Sequence, residues 1–309
     1  MKKWIISILA LILVPLIIVN MNSKKVGLPT SSLSVTSGNL YHLDVFSPEM
    51  NDTINVDIWT PSGYSNEMKY PVVYMHDGQN LFDAASTWNH QAWEIDSVAG
   101  QLIDNGAIKP AIIVGIYSYN DTRLGDLMPE KPLKTLKNDT IISFINKMCR
   151  DNFRADEYLA FIVNTLRPIV NDKFSVDTST SSTYIMGSSM GGLISIYGLC
   201  EYPGMFGAAA CLSTHWTGAL GHNTDFPSAM RNYLKENLPL DMNHRIYFDN
   251  GDCPYDTVYI PYFNQMVELV DSLGYNSDQF KHSIFPGHSH DEKSWSRRVA
   301  TPLEFLLAH

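Results

Sequence analysis

The chain has 309 residues, of which 45% are hydrophobic and 17% charged, with a formal net charge of −10. That size and apolarity suffice for one large domain with a substantial core. The negative charge argues against nucleic acid or an anionic membrane surface as the main partner, since either needs clustered lysine and arginine.

Met1-Lys2-Lys3 is a short basic start, and Trp4–Val19 is almost wholly apolar. Residues 1–22 therefore read as a signal peptide or an N-terminal membrane anchor. The sixteen-residue run, at about 1.5 Å per residue, reaches about 24 Å, short of the roughly 30 Å hydrocarbon core, which favours a signal peptide. No small-X-small cleavage pattern follows Val19, so the anchor stays open. Residues 23–38 are polar and rich in Ser and Thr, and read as a tether to a domain over 39–309.

Leu40–Phe46 and Thr53–Thr60 alternate apolar and polar residues, as half-buried antiparallel strands do. Pro71–Met75 is a buried strand running into the loop His76-Asp77-Gly78, and Ala111–Ile116 is a strand covered on both faces. Residues 118–154 read as an irregular excursion over the top of the fold. Ala155–Val170 has helical spacing. Thr183–Met186 is a short strand, and Ser189–Tyr202 a helix opened by a glycine-rich turn. Later strands fall at Ala208–Leu212, Ile246–Phe248 and Phe280–Phe285, with helices at Tyr259–Leu273 and Asp291–Leu307. Strands alternating with helices predict a mainly parallel α/β sheet with helices on both faces. The first two strands form its antiparallel edge.

Gly187-Ser188-Ser189-Met190-Gly191 matches Gly-X-Ser-X-Gly between a strand and a helix. That context is the nucleophile elbow of the α/β-hydrolase fold, with Ser189 as nucleophile and Ser188 as an X residue. A serine needs a base, which this fold carries on a late loop, after the acid in chain order. His290 is preferred because it directly precedes the last helix. His288 is assigned to the pocket lining, and His282, inside a strand, to structure. The acid belongs on the loop after the strand ending at Phe248, where Asp249, Asp252 and Asp256 are available. Asp256 is the first choice and Asp252 the second; Asp249 sits close enough to the strand to turn inward. The oxyanion donors are the backbone N–H groups of Met190 and Gln79. Cys200 and Cys211 lie close enough in sequence for a disulfide if a helix runs into the next strand.

Four stretches resemble one family. They are Tyr74-Met75-His76-Asp77-Gly78-Gln79-Asn80-Leu81-Phe82-Asp83, Gly187–Gly192, Tyr247–Gly251 with Asp256 following, and His290-Asp291-Glu292-Lys293-Ser294-Trp295. From about residue 40 to the end, the chain resembles the esterase family of α/β-hydrolases. That family includes feruloyl and acetyl-xylan esterases, ferric-enterobactin esterases, S-formylglutathione hydrolase and mycolyltransferases. The resemblance implies ester hydrolysis through an acyl-enzyme, with no metal and no cofactor. It puts the acid several residues beyond Gly251, at Asp256, although the loop Gly251–Asp256 departs from the family's commoner Gly-Thr pattern. It puts Asp77, Trp88, Trp93, Glu94 and Arg123 around the cleft; the tryptophans read equally as packing residues, and Arg123 as a surface ion pair.

The expected substrate is a small-molecule or polysaccharide-linked ester, first a feruloyl or acetyl ester of plant polysaccharide, second a siderophore lactone. A positively lined cleft points to the siderophore. An apolar slot beside a sugar-binding surface points to the feruloyl ester. An acyltransferase needs the same site with water excluded. A non-catalytic binding protein on the same fold predicts a missing triad member, and none is missing.

Overall fold

The computed structural model describes residues 30–218, 221–241 and 243–309. The signal peptide or anchor at 1–22 lies outside the described residues. Eight strands form one sheet: β1 (Asn39–Ser47), β2 (Asp52–Thr60), β3 (Val72–His76), β4 (Ile112–Ile116), β5 (Thr183–Ser188), β6 (Ala208–Leu212), β7 (Arg245–Gly251) and β8 (Phe280–Phe285). Their spatial order is β1-β2-β4-β3-β5-β6-β7-β8. β1 pairs with β2, and β2 with β4, antiparallel; every other pair is parallel. The predicted α/β sheet with an antiparallel N-terminal edge is therefore what forms.

Successive residues of a strand face opposite sides of a sheet. Val72, Tyr74, Ile112 and Ile185 join one apolar cluster, which packs on helices Met190–Glu201 and Asp256–Ser272. Val73, Met75, Ile113 and Met186 join the other, under helices Ile95–Asp104 and Ala300–Leu307. Burying a Val or Ile side chain contributes roughly 1.5–3 kcal/mol. Strands apolar on both faces are therefore most stable at the sheet centre, where β3, β4 and β5 lie. β8, FKHSIF, is the outer strand and keeps several side chains exposed. His282 is one of them, its ring against Phe280 and Phe263, which fits a structural role.

Four expectations change. Residues 118–154 carry three helices, at Arg123–Asp126, Glu130–Leu133 and Asp139–Met148. The last of these is started by the Asn138 side chain, which accepts from the N–H groups of Thr140 and Ile141. The predicted helix Asp291–Leu307 breaks into Glu292–Ser296 and Ala300–Leu307. A continuous helix would require Pro302 to donate to the Arg298 carbonyl, and proline has no N–H. Residues 30–38, the described part of the polar tether, are not free chain. The Thr36 N–H and hydroxyl both donate to Asp96, and the Ser37 carbonyl accepts from the Trp59 indole. Cys200 and Cys211 are free buried thiols, one in the helix Met190–Glu201 and one on β6.

Candidate active site

The loops that follow β3, β4, β5, β7 and β8 all leave the same, C-terminal edge of the parallel strands, the edge where α/β sheets hold ligands. Ser189 leads the set. β5 ends at Ser188 and a helix begins at Met190, so one residue must reverse the chain. Ser189 does so with φ 58° and ψ −121°, a region that costs a non-glycine residue roughly 1–3 kcal/mol. Its N–H donates to the Leu212 carbonyl on β6, and its carbonyl accepts from His215, which fixes the bend. A Cβ on Gly187 would sit 2.8 Å from the Gly191 carbonyl carbon, so only glycine allows strand and helix to pass this closely.

Asp256 opens the helix Asp256–Ser272 and is fully buried. Its Oδ1 accepts from His290 Nδ1 at 2.6 Å. Its Oδ2 accepts from the Gly251 N–H at 2.8 Å and the Ser213 hydroxyl at 2.6 Å. Burial alone would raise its pKa. The bonds and charge of His290, with Ser213 and Gly251, hold it below the ordinary value instead. His290 follows β8, and its ring packs against those of Trp295 and Tyr259, at centroid distances of 5.2 and 5.5 Å. With Nδ1 engaged, Nε2 is the nitrogen left for chemistry. Asp291 caps the next helix by accepting from the Ser294 N–H, as the preference for His290 anticipated.

Ser189 and His290 share the walls of one cleft of about 830 Å³ with Gln79 and Trp88. Gln79 lies in the short turn Gly78–Asn80, after Asp77 in the left-handed region at φ 56°. A Cβ on Gly78 would meet the Gly115 carbonyl carbon at 2.5 Å, so the turn sits tight on β4. The Gln79 side chain accepts from the Ser118 N–H, which anchors the turn, and Gln79 lines the cleft. Met190 contributes the first N–H of its helix, and its side chain is buried. A helix N-terminus favours developing negative charge.

Three other assignments resolve differently. Asp77 and Arg123 hold each other, Nε to Oδ1 at 2.6 Å and Nη2 to Oδ2 at 2.7 Å. Burial alone would raise the Asp77 pKa, and the Arg123 charge takes it below the ordinary value. Asp77 thus lines the cleft with both carboxylate oxygens engaged by Arg123. His288 does not line the cleft: it is buried, with Nδ1 on the Ser294 carbonyl and its ring against Phe285. Asp252 accepts from the Gly287 N–H at 2.7 Å and has no bond to His290, which removes it as the acid. Trp93 touches the cleft but is only 3% exposed, its ring 5.6 Å from that of Trp295. Trp88 is 82% exposed at the rim.

Sequence reasoning missed Glu292, which accepts from Asn80 and Asn89 and ties two cleft loops to the His290 segment. It also missed His215, whose imidazole bonds the Tyr259 hydroxyl at 2.6 Å. Burial, then the charges of His290 and Arg123, take its pKa down to about 3, so it is neutral. Glu292 lies inside the family-like stretch that begins at His290, but nothing in that pattern gives its partners, and no motif marks His215; the fold brings both to the site.

Residues 47–301 match the family model Esterase, described as "Putative esterase". The chain belongs to this esterase family. Membership places it among the carboxylic ester hydrolases. It is 27% identical over 257 residues to the uncharacterized protein YbbA of Bacillus subtilis, covering 81% of this chain and 90% of that protein. It is 23% identical over 272 residues to an endo-1,4-beta-xylanase/feruloyl esterase of Xylanibacter ruminicola, covering 85% of this chain but 30% of that longer protein. Two solved structures share the esterase's fold. An IroE-like serine hydrolase from Shewanella oneidensis has TM-score 0.63 at 19% identity, covering 86% of this chain and 79% of its own. The feruloyl esterase module from Clostridium thermocellum has TM-score 0.62 at 17% identity, covering 90% and 92%. The fold is that of the α/β-hydrolases.

Proposed function

We propose that this esterase works through an acyl-enzyme, with Ser189 as nucleophile, His290 as base and Asp256 as the acid that orients it. The 2.6 Å bond between His290 and the buried Asp256, with His290 and Ser189 lining one cleft, carries this assignment. The carboxylate fixes the proton on Nδ1 and leaves Nε2 to accept the Ser189 proton as the hydroxyl attacks the ester carbonyl. The Gln79 and Met190 amides take the oxyanion. His290 then protonates the leaving alcohol. Water repeats the two steps and releases the acid.

The substrate we propose is a feruloyl or acetyl ester on polysaccharide. Among the described residues, Arg123 is the one Lys or Arg on the cleft wall, and its charge is committed to Asp77. Asp291 and Glu292 add negative charge to the same wall. A neutral sugar ester suits such a cleft better than a polyanionic siderophore does. Trp88 offers an exposed indole face for a sugar or phenolic ring, with Asn89 and Gln91 close by in sequence on the same wall. The basic start and apolar run of residues 1–19 argue for export, which would bring the enzyme to extracellular polymer.

The test is a panel of p-nitrophenyl acetate, methyl ferulate and a catecholate trilactone, run with wild type and Ser189→Ala. Acetate or ferulate should be turned over, with kcat lowered by roughly 10⁶-fold in the variant. Faster turnover of the trilactone would overturn the substrate class. An active Ser189→Ala would overturn the nucleophile.

A further inference from the structure

Behind the Asp256 carboxylate lies a second set of charged groups that the mechanism above does not use. Arg298 is 2% exposed, and its Nη2 donates to the Ser213 hydroxyl oxygen at 2.6 Å and to Asp249 Oδ1 at 3.0 Å. The same nitrogen lies 3.9 Å from Asp256 Oδ2. Its guanidinium sits over the Phe285 ring, with 5.5 Å from the central carbon to the ring centroid. Asp249 is 1% exposed and also accepts from the Tyr247 hydroxyl. Two buried carboxylates therefore share one buried cation, and Ser213 stands between them.

The proton on Ser213 can be placed by counting donors. Its oxygen receives N–H bonds from Arg298 at 2.6 Å and from the Trp295 indole at 3.1 Å. Neither of those groups can accept a hydrogen bond. The single hydroxyl proton must then go to Asp256 Oδ2, 2.6 Å away. Ser213 keeps this aim from a left-handed backbone at φ 41°, held by its N–H on the Asp249 carbonyl at 2.9 Å. A strained backbone persists where the surroundings over-determine it.

We propose that Arg298, Asp249 and Ser213 are positioning residues that form a buried relay, balancing the charge of Asp256 and locking its carboxylate against His290. The relay rests on the assignment of Ser189, His290 and Asp256 made above. A buried carboxylate is tolerated only when it is paired and hydrogen-bonded. His290 cannot be the sole partner of Asp256, because it must pass between neutral and cationic forms in each cycle. Arg298 stays charged throughout. Acting through the Ser213 hydroxyl, it stabilises the anion without competing for Oδ1. Asp249 draws off part of the Arg298 charge. Burial, opposed by Arg298, raises its pKa to about 6, so that share changes with pH. The other titratable groups facing the relay are Tyr247 and Cys211 at Asp249, Tyr259 at Asp256 and His288 at Arg298; His215 faces His290.

The test compares wild type with Ser213→Ala, Asp249→Asn, Arg298→Met and Arg298→Lys, on whichever panel ester wild type turns over fastest. Melting temperature and pH profiles of kcat and kcat/KM are measured for each. Ser213→Ala deletes one donor to the Asp256 anion. It should lower kcat roughly 10- to 100-fold with little change in KM, and move the acid limb to higher pH. Asp249→Asn returns the whole Arg298 charge to Asp256, so its acid limb should move to lower pH. Arg298→Lys should recover part of the kcat that Arg298→Met loses. If the Arg298 variants do not fold, the opposite shifts of the other two still decide. A Ser213→Ala enzyme within about twofold of wild-type kcat, with an unmoved acid limb, overturns the relay. In that case a dead Ser189→Ala shows that the triad assignment stands without it, whereas an active Ser189→Ala shows that the assignment itself is wrong.

Discussion

Asp256→Asn barely changes the shape of the site, yet it reverses the hydrogen-bond pattern. Oδ2 of the native carboxylate faces two donors, the Gly251 N–H and the Ser213 hydroxyl. In asparagine the amide oxygen must stay with those donors, which turns the NH₂ group toward His290. An NH₂ group only donates, so His290 Nδ1 has to accept and its proton moves to Nε2. That tautomer cannot take a proton from Ser189. The equivalent change in a serine-protease triad lowers kcat by about 10⁴, or about 5.4 kcal/mol at 1.36 kcal/mol per tenfold. Asp252→Asn is the control. Its carbonyl oxygen can keep the bond from the Gly287 N–H on an exposed loop, so kcat should stay within about threefold. Both variants are assayed on p-nitrophenyl acetate beside wild type, with melting temperatures to confirm folding. A folded Asp256→Asn that retains a tenth of wild-type kcat, or an Asp252→Asn that falls as far, would refute the assignment.

Trp88→Ala should raise KM for methyl ferulate roughly 3- to 10-fold, the worth of one aromatic contact, and leave the melting temperature unchanged because the ring is 82% exposed. An unaltered KM would remove Trp88 from the substrate surface. Arg123→Met leaves the Asp77 carboxylate without either guanidinium bond, beside the turn that presents the Gln79 amide. Unfolding in urea should show a loss of about 2 kcal/mol or more, with kcat falling further than stability alone explains; intact kcat would separate the pair from the oxyanion turn. Asp249 carries a pKa raised from 3.8 to about 6 by burial against the partial relief of Arg298. Its stabilising contribution is full below its unfolded value and is lost as pH rises through about 6. The difference corresponds to something on the order of 3 kcal/mol. Asp249→Asn cannot titrate, so stability measured by denaturant across that window should lose this slope, and an identical slope in the variant would refute the account.

The parallel sheet was legible because each central strand is apolar on both faces and bounded by turn residues, as in Val72–Met75 and Ile112–Ile116. The elbow was legible because strand, Gly-X-Ser-X-Gly and helix are contiguous, so the pattern and its setting are read from one short stretch. The helix Asp225–Asn237 went unread, and the excursion at 118–154 was read as irregular. Their mixed, polar segments become helical through capping and packing, which local apolar spacing reports only weakly. His288 and His290 differ by two positions in one loop, and spacing cannot say which ring turns to the cleft.

What the sequence determined by itself is therefore what short-range chemistry dictates: the order of the strands, the serine on its turn, and the late loop that carries the histidine. The tertiary structure decided everything that depends on several distant segments meeting at one atom. It chose Asp256 over Asp252, because Gly251, Ser213 and His290 converge on only one of those carboxylates. It also paired Arg123 with Asp77 and turned Arg298 inward to Asp249. A buried charge is stable only where its partners are assembled, and those partners come from parts of the chain whose separation along the sequence says nothing about their distance in space.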